Sequence, residues 1–340
     1  MNKSKSSSDN EHLVEVDRVK KWFEVQGGLL DGILRREVAY VHAVDGVTFS
    51  IRRGEVFGLA GESGSGKTTI GKLIIRLEEP TAGTVKFDGI DLSTLSVSEM
   101  RTLRRRMQAI FQDPMASMNP RMTVKDTLDH PLKIHFPDDA AAHRGRIVEI
   151  MEQVGLTPPE FFLGKYPHQI SGGQRQRVVI ARALVTNPDF VLADEPIAMA
   201  DVSVRALLLD LMIELKEHLN LTYLYITHDL ATAKYICDRI GILYLGKICE
   251  LGDLREVYAH PLHPYTQALL AAVPVPDPRK RRTQPMPAGE IPDAIRPPSG
   301  CRFHPRCPIV RMDHCPKSEP ELRELRPGHW VACHYAEDFL

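Results

Sequence analysis

The chain has 340 residues, and 43 Lys and Arg against 44 Asp and Glu residues give a formal net charge of −1. Hydrophobic residues make up 43% and charged residues 26%, as in an ordinary globular protein and unlike a disordered chain. This balance excludes a polybasic nucleic-acid binder, so no nucleic-acid partner is expected. No apolar run reaches the roughly 18 residues that a membrane span needs, and the polar first ten residues do not read as a secretory signal. These features favour a cytoplasmic location.

The predicted elements alternate between strands and helices. After a flexible tail at residues 1–12, short runs with strand patterning are separated by longer runs with helical spacing. Predicted strands cover Leu13–Val19, Val38–Val44, Val47–Ile51, Glu55–Ala60, Thr84–Phe87, Phe190–Ala193, Thr222–Thr227, Ile240–Tyr244 and Lys247–Leu251. Predicted helices cover Lys67–Leu77, Ser98–Met107, most of Val124–Gly155, Gln174–Val185, Val202–His218 and Leu230–Cys237. This order predicts an α/β fold with a mostly parallel sheet that is covered on both faces.

The composition changes after Val273. Residues 274–298 contain eight prolines and a basic run, which is typical of an extended linker. Four of the six cysteines then follow between Cys301 and Cys333. We therefore expect a main domain over 13–260, a proline-rich linker over 261–300 and a cysteine-rich tail over 301–340.

A glycine-rich segment, Gly61–Thr68, lies between a predicted strand and a predicted helix. It fits the pattern G-x-x-x-x-G-K-[ST] of a phosphate-binding loop. Glycines let the backbone wrap closely around phosphates, and the loop amides and the helix N-terminus supply positive potential. We expect Lys67 to reach the β- and γ-phosphates and Thr68 to bind Mg²⁺ through its hydroxyl. The other predicted nucleotide-binding residues here are Gly61, Ser63, Gly64, Ser65, Gly66 and Thr69.

Two acidic residues follow the apolar strand predicted at Phe190–Ala193. Burying an acid at a strand end is costly unless the acid meets a cation. Because the same chain carries a phosphate loop, Mg²⁺ is the expected partner of Asp194. Glu195 is then the candidate general base for the attacking water, with a helix cap or a solvated acid as the alternative.

A second candidate anion site is the sequence Ser171-Gly172-Gly173-Gln174, which precedes a predicted helix. A serine and two glycines at this place are typical of an anion-binding helix N-terminus or of an ordinary helix cap. The order of the motifs favours the first interpretation. The phosphate loop, Ser171–Gln174, Asp194–Glu195 and then His228 after a further strand form one compound pattern.

This compound pattern resembles the ATP-binding cassette (ABC) family over residues 13–260. Gly61–Thr68 resembles the Walker A motif, and Val191–Glu195 resembles the Walker B motif with its catalytic glutamate. Ile170–Gln174 resembles the signature motif, with Ile in place of the usual Leu.

Three further positions are carried over from the resemblance. Gln112 sits where the family has its Q-loop glutamine, which makes it a nucleotide-site residue and a candidate Mg²⁺ ligand. His228 matches the switch histidine that holds the γ-phosphate and positions the attacking water. Phe23 is the predicted aromatic residue that stacks on adenine, with Trp22 as the alternative.

The resemblance implies the fold of a P-loop NTPase cassette. Such a cassette has a RecA-like core, an antiparallel β subdomain and a helical subdomain, here expected at about 113–185, followed in this chain by a small cysteine-rich C-terminal extension. The resemblance also implies an ATPase that acts as a head-to-tail dimer, in which the Walker A loop of one cassette faces the signature motif of the other. Lys67, Gln112, Glu195 and His228 would form its catalytic set.

Several stretches resemble one branch of the family, the ATPases of dipeptide and oligopeptide (or nickel) importers. These stretches are Gly27–Leu30, Met107–Pro114, Ser117–Met122, His263–Thr266 and the run into Gly300-Cys301. The resemblance implies a subunit that hydrolyses ATP to power peptide import through two separate transmembrane permease subunits. It also implies a second cassette, in a heterodimer or a homodimer, a solute-binding protein outside the cell, and a peripheral position on the cytoplasmic face of the membrane.

One stretch departs from the family pattern. After Asp194-Glu195-Pro196 the family continues with Thr-Ser-Ala-Leu-Asp, whereas this chain has Ile197-Ala198-Met199-Ala200-Asp201. Two hydroxyl side chains are thus replaced in the loop that communicates across the dimer interface. We hypothesise weaker cooperativity or a partner cassette that compensates.

The four clustered cysteines, Cys301, Cys307, Cys315 and Cys333, have no Cys-x-x-Cys spacing. In the cytoplasm, four thiolates so close in sequence suit an iron–sulfur cluster or zinc better than disulfides. The segment Cys301–Pro308 resembles the tail of the peptide importers, which implies a [4Fe–4S] cluster. Zinc, or no metal at all, remains the alternative.

Two other functions compete with a transport ATPase. The first is a soluble ABC protein that acts as a mechanical clamp, although this chain has neither tandem cassettes nor a long coiled-coil insertion. The second is a redox-sensing accessory protein with a vestigial ATPase site. The intact Lys67, Asp194, Glu195 and His228 argue against the second alternative.

Overall fold

The computed structural model describes residues 11–25, 39–273 and 289–340. The predicted tail up to residue 10, the Gly27–Leu30 insertion and residues 274–288 of the predicted linker lie outside the described residues. The chain divides into two compact units. Of the described residues, unit 1 comprises 11–25, 39–51, 57–93, 227–273 and 289–340, and unit 2 comprises 52–56 and 94–226.

The strands are β1 (His12–Glu24), β2 (Tyr40–Arg52), β3 (Val56–Ala60), β4 (Ala82–Phe87), β5 (Ile90–Asp91), β6 (Met107–Ile110), β7 (Phe190–Asp194), β8 (Thr222–Thr227), β9 (Arg239–Tyr244), β10 (Lys247–Asp253), β11 (Arg323–Arg326) and β12 (His329–Val331). The helices are α1 (Lys67–Ile74), α2 (Val97–Leu103), α3 (Pro114–Ser117), α4 (Val124–His135), α5 (Ala140–Gln153), α6 (Pro159–Leu163), α7 (Gly172–Leu184), α8 (Val202–Leu219), α9 (Leu230–Ile236), α10 (Leu254–Ala259) and α11 (Pro264–Ala272). Strands and helices thus alternate through most of the chain, and the predicted α/β class is confirmed.

Unit 1 contains a four-stranded sheet with the strand order β2-β1-β4-β5. Strand β1 pairs antiparallel with β4, with Val14 opposite Phe87 and Val16 opposite Val85. These four side chains are buried, because alternate residues of a strand point to the same face and here that face is apolar. This antiparallel sheet agrees with the antiparallel β part of the predicted cassette fold.

The other strands of unit 1 follow one another in the order β11-β12-β10-β9-β3. Strand β3 pairs parallel with β9, and β9 pairs antiparallel with β10. The hairpin β11–β12, from the predicted cysteine-rich tail, continues this series because β12 pairs antiparallel with β10. The tail is therefore built onto the strands of unit 1.

Unit 2 contains the parallel strands β6, β7 and β8 as neighbours. Every residue of β7 and of β8 is buried, which matches the continuous apolar runs expected of a sheet covered on both faces. Between β6 and β7 the chain forms the helices α3 to α7, which occupy much of the predicted helical region at 113–185.

A buried carboxylate links two helices of unit 2. Asp129 of α4 lies 2.9 Å from His143 Nδ1 of α5 and 2.7 Å from Lys133 Nζ. Burial alone would raise the pKa of Asp129, but the hydrogen bonds from Lys133 and His143 and their charge lower it below its ordinary value. The carboxylate is thus held in its ionised form at the α4–α5 contact.

Several predicted boundaries differ from the structure. Two strands were predicted at Val38–Val44 and Val47–Ile51; Val38 lies outside the described residues, and residues 40–52 form the single strand β2. The helix predicted at Ser98–Met107 is α2, which ends at Leu103 and is followed by a short 3₁₀ turn. The predicted linker segment 261–300 contains the helix Pro264–Ala272, in which Pro264 occupies the first turn, where its missing N–H costs nothing. Extended chain was predicted for residues 274–298, of which 274–288 lie outside the described residues.

Candidate nucleotide-binding site

The phosphate loop predicted at Gly61–Thr68 runs from the end of β3 into α1. Gly61 and Gly66 have φ angles of 152° and 104°. A Cβ atom on Gly61 would lie 2.2 Å from the Leu243 carbonyl oxygen, and one on Gly66 would lie 2.2 Å from the Ala43 carbonyl oxygen. Glycine is therefore required at both positions, by the backbone conformation and by the close approach of neighbouring strands.

Lys67 is held against the phosphate loop. Its Nζ atom donates hydrogen bonds to the carbonyl oxygens of Gly61 and Glu62, each at 2.8 Å, and to Ser65 Oγ at 3.3 Å. Lys67 and Ser65 are buried, whereas Ser63, Gly64 and Thr68 are exposed. Thr68 and Thr69 lie in the first turn of α1, and the N-terminus of a helix favours an anion. The loop thus carries a cation and a helix N-terminus side by side, which suits phosphate binding.

The predicted switch histidine, His228, also lies in unit 1. His228 is exposed and lies between the end of β8 and the start of α9. The turn around it is fixed on both sides, since Thr227 Oγ1 accepts a hydrogen bond from the Asp229 N–H at 2.9 Å and Asp229 caps α9 through the Ala231 N–H at 2.8 Å. The backbone on both sides of His228 is thus fixed, while the imidazole itself is exposed to solvent.

The two candidate aromatic residues for adenine stacking adjoin each other in β1. Lys21 Nζ lies 4.8 Å from the centroid of the Phe23 ring. The Trp22 ring stacks on His42, with ring centroids 4.3 Å apart, and the next residue, Ala43, is the one whose carbonyl approaches Gly66. The choice between Phe23 and Trp22 stays a prediction.

The acidic and glutamine positions of unit 2 lie at one edge of its parallel strands. Ile110 of β6 is opposite Ala193 of β7, so Gln112 and Asp194–Glu195 follow the carboxyl ends of neighbouring strands. Asp194 is buried, Glu195 is half-buried and Gln112 is exposed. The carboxyl ends of parallel strands are where α/β proteins place their ligands.

Glu195 has an unusual backbone conformation. Its φ angle is 49°, a left-handed value that costs energy for a side chain other than glycine. Its N–H donates a hydrogen bond to the Ile226 carbonyl oxygen at 3.0 Å, which ties the residue to β8. Strain of this kind is typical of functional positions, and it supports a functional role for Glu195 over a solvated acid.

The segment Ser171–Gln174 forms the N-terminus of α7. Ser171 Oγ accepts a hydrogen bond from the Gln174 N–H at 3.2 Å, and Gln174 Oε1 accepts one from the Ser171 N–H at 2.9 Å. This reciprocal capping box orders the helix start. Ser171 and Gly172 are exposed, while Gly173 and Gln174 are half-buried. Both predicted interpretations of this segment, a cap and an anion site, are compatible with the geometry.

The segment Ile197–Asp201, which departs from the family sequence pattern, is held by contacts within unit 2. Ile197 is buried, so an apolar side chain is accommodated where the family has a hydroxyl. Gln176 of α7 donates a hydrogen bond to the Pro196 carbonyl, and Arg205 Nε donates one to the Ala200 carbonyl at 2.9 Å. The loop is therefore ordered by contacts to α7 and α8 that do not need the missing hydroxyls.

The four clustered cysteines line one cavity of unit 1, together with His304 and His334. All four are free thiols. Burial raises the pKa of Cys301 to about 12 and that of Cys333 to about 11. Across residues 11–25, 39–273 and 289–340, no group of three or more His, Cys, Asp or Glu side chains is arranged to hold a metal ion.

None of the helices among the described residues is long and apolar enough to cross a membrane. The predicted site residues are divided between the two units. Unit 1 carries the phosphate loop, Phe23, His228 and the four cysteines, and unit 2 carries Gln112, Ser171–Gln174, Asp194 and Glu195. Their roles in a nucleotide site stay predictions.

Comparisons with known proteins find relatives over nearly the whole chain. The sequence matches the family described as ABC transporter over residues 44–198, and the C-terminal region of the oligopeptide/dipeptide transporter over residues 249–315. It is 46% identical to the oligopeptide transport ATP-binding protein AppF of Bacillus subtilis (strain 168), over 97% of this chain and 99% of that protein.

Two solved structures are similar in fold. The first is the ATP-binding cassette MJ0796 in a dimeric post-hydrolysis state bound to ADP and Pi, with a TM-score of 0.61, 31% identity and coverage of 71% of this chain and 99% of that one. The second is cbiO1 of Clostridium perfringens, part of the ABC transporter complex cbiONQ, with a TM-score of 0.62, 26% identity and coverage of 74% and 92%. These relatives give no support to a soluble clamp. The chain belongs to the ABC transporter family, among the ATP-binding proteins of oligopeptide transporters.

Proposed function

We propose that this chain binds and hydrolyses Mg-ATP at a head-to-tail interface with a second cassette, and so powers the import of peptides through separate permease subunits. The observation that carries the proposal is the phosphate loop, which follows β3 in the chain and brings Lys67 to the N-terminus of α1. The 46% identical relative named as an oligopeptide transport ATP-binding protein supports peptides as the substrate.

In the proposed reaction, Lys67 exchanges its contacts with the loop carbonyls for the β- and γ-phosphates. Thr68 and Asp194 would hold Mg²⁺, with Gln112 as a further ligand, and the bound ion would supply positive charge to neutralise the phosphates. Glu195 accepts the proton of the attacking water, and His228 orients that water toward the γ-phosphate. Ser171–Gln174 binds the nucleotide held by the opposite cassette, since the N-terminus of a helix suits an anion.

Replacement of the proposed general base tests this chemistry. We expect Glu195→Gln to bind ATP as the wild type does but to hydrolyse it at least about a hundredfold more slowly, as for a general base. Glu217→Gln, which changes an exposed acid of α8, is the matched control and should keep wild-type turnover. Wild-type turnover in Glu195→Gln would show that another group activates the water.

The proposed assembly has two transmembrane permease subunits, a second cassette and a solute-binding protein outside the cell. The chain itself would sit on the cytoplasmic face of the membrane and be held there by the permeases. Purification of the chain from its native membranes in mild detergent, followed by mass spectrometry, tests this assembly. Two multi-spanning proteins and a second cassette are expected, whereas ribosomal or DNA-repair proteins without a permease would contradict the proposal.

We also propose that Cys301, Cys307, Cys315 and Cys333 hold a [4Fe–4S] cluster. Support comes from the chemistry of the donor set and not from its geometry: four thiols line one cavity and are the ligand type that such clusters take, while no group of three or more His, Cys, Asp or Glu side chains among the described residues is arranged to hold a metal ion. The cluster would hold together a segment with few apolar residues of its own. Iron and acid-labile sulfide in anaerobically purified protein are expected, and both should fall in Cys315→Ser but not in Cys237→Ser, which changes a buried cysteine of another element. Zinc at one ion per chain without sulfide would contradict the cluster.

A further inference from the structure

The C-terminal extension makes a direct contact with the phosphate loop. Arg306 lies in a short 3₁₀ turn, His304–Arg306, between the first two clustered cysteines. Its guanidinium donates to both carboxylate oxygens of Glu62, with Nη1–Oε2 at 2.7 Å and Nη2–Oε1 at 3.0 Å. The Arg306 side chain is only 6% exposed, and that of Glu62 is 21% exposed. A two-point contact of this kind is both strong and directional.

A second contact holds the same loop residue through its backbone. The Glu62 N–H donates a hydrogen bond to the hydroxyl of Tyr265 at 2.9 Å. Tyr265 is fully buried and packs edge-on against Tyr244, with ring centroids 4.8 Å apart, and in a tilted arrangement against Phe303, with centroids 5.3 Å apart. The hydroxyl is therefore fixed in position by the packing of its ring.

Tyr265 is in turn connected to the hairpin β11–β12. Its N–H donates to His263 Nδ1 at 3.0 Å, and the His263 N–H donates to Glu250 at 3.0 Å. Glu250 lies 2.7 Å from Nε2 of His329, a residue of β12. Glu250 and His329 are completely buried. A series of hydrogen-bonded residues thus leads from β12 to the phosphate loop, and its bonds are buried except for the part-buried one between Tyr265 and Glu62.

The negative charge of Glu62 explains why its contact with Arg306 would affect phosphate binding. A carboxylate next to a loop that takes several phosphate charges would repel them, and the repulsion is strong where water is excluded. The paired guanidinium cancels that charge. The bond to Tyr265 fixes the backbone of the loop at the residue after Gly61, so the loop amides that follow are presented in one conformation.

We propose that Arg306 and Tyr265 are positioning residues for ATP, and that the C-terminal extension thereby completes the phosphate-binding loop. The proposal rests on the proposed nucleotide site at Gly61–Thr68. It predicts that ATP affinity depends on residues 203 and 244 positions away from Glu62 in the sequence.

A double-mutant cycle on the full-length chain tests the proposal. The binding of a fluorescent ATP analogue with Mg²⁺ is measured for the wild type, Arg306→Gln, Glu62→Gln and the double variant. We expect Arg306→Gln to weaken binding by about tenfold or more, because it leaves an unpaired carboxylate beside the phosphates. Glu62→Gln and the double variant should both stay within about threefold of the wild type, because neither has that carboxylate.

The control variants separate this proposal from its alternatives. Arg311→Gln removes another ion pair of the same extension, with the exposed Asp338, and should leave binding unchanged. Lys67→Ala tests the nucleotide site itself, so binding that survives it would contradict the proposed site, whereas lost binding in Lys67→Ala together with wild-type binding in Arg306→Gln would contradict only the role of Arg306. A loss on Arg306→Gln that is equal with and without the Glu62→Gln substitution would overturn the coupling.

Tyr265→Phe provides an independent test if Arg306→Gln does not fold. The ring and its packing remain, and only the hydroxyl that accepts from the Glu62 N–H is lost. We expect a loss of ATP affinity of about three- to tenfold with an unchanged circular dichroism spectrum. Wild-type affinity in this variant would overturn the positioning role of Tyr265.

Discussion

The carboxylate of Glu250 is a buried point of contact between the C-terminal hairpin and the rest of unit 1. It is fully buried and accepts hydrogen bonds from the Leu262 N–H at 2.8 Å, the His263 N–H at 3.0 Å and His329 Nε2 at 2.7 Å. Replacement of Glu250 by Ala removes all three acceptor contacts at once. The three donors then have no partner in a region that excludes water.

The expected loss of stability follows from that geometry. Each buried donor left without an acceptor costs roughly 1–3 kcal/mol. Taking the lower part of that range for three donors, we expect Glu250→Ala to lower the free energy of unfolding by about 4 kcal/mol. This is a large share of the roughly 5–15 kcal/mol that stabilises a folded domain. At about 2–4 °C for each kcal/mol, the midpoint of thermal unfolding should fall by roughly 10 °C.

Calorimetry or a thermal scan monitored by circular dichroism measures this effect. Glu250→Gln keeps one acceptor oxygen but turns an N–H₂ group toward a donor, so its midpoint should lie between those of the wild type and Glu250→Ala. Glu319→Ala is the matched control, since Glu319 also pairs with β10, through Lys247, but is 56% exposed. Such a surface pair contributes less than about 1 kcal/mol. A midpoint for Glu250→Ala within about 2 °C of Glu319→Ala would refute the reasoning.

Three further predictions concern the loop, the interface and the helices of unit 2. Gly66→Ala should abolish binding of the fluorescent ATP analogue, because its Cβ would lie 2.2 Å from a backbone carbonyl at a φ of 104°, whereas Gly145→Ala, whose Cβ meets nothing within 4 Å, should bind normally. The combined change Ile197→Thr with Ala198→Ser should raise the Hill coefficient of ATP hydrolysis in the assembled transporter, and an unchanged coefficient would count against the proposed role of this loop. Because the folded-state pKa of Asp129 is lowered, its stabilisation is complete above the ordinary value of 3.8 and is lost as the pH falls through the folded-state pKa. The difference in unfolding free energy between the wild type and Asp129→Asn should therefore be largest near neutral pH and shrink below about pH 4, and a pH-independent difference would exclude this linkage.

The parts of the candidate site that were predictable lie within short segments. The loop Gly61–Thr68 is defined by eight consecutive residues, and the backbone angles of its glycines are local properties. The cap formed by Ser171 and Gln174 likewise depends on two residues one helical turn apart. By contrast, β6 was not predicted as a strand, because its four residues follow an arginine run and only their pairing with β7 makes them a strand.

By itself, the sequence determined the α/β class, the phosphate loop and the family to which the chain belongs, since each depends on residue patterns within one stretch or on the order of such stretches. Only the tertiary structure decided how the C-terminal extension is used. The pairing of β12 with β10, the burial of Glu250 against His329 and the contact of Arg306 with Glu62 join residues that are far apart in the chain. No local pattern specifies such partners. A buried charge requires a counter-charge or hydrogen bonds, and an edge strand has unpaired backbone groups, but the sequence around either one does not identify the distant residue that will pair with it.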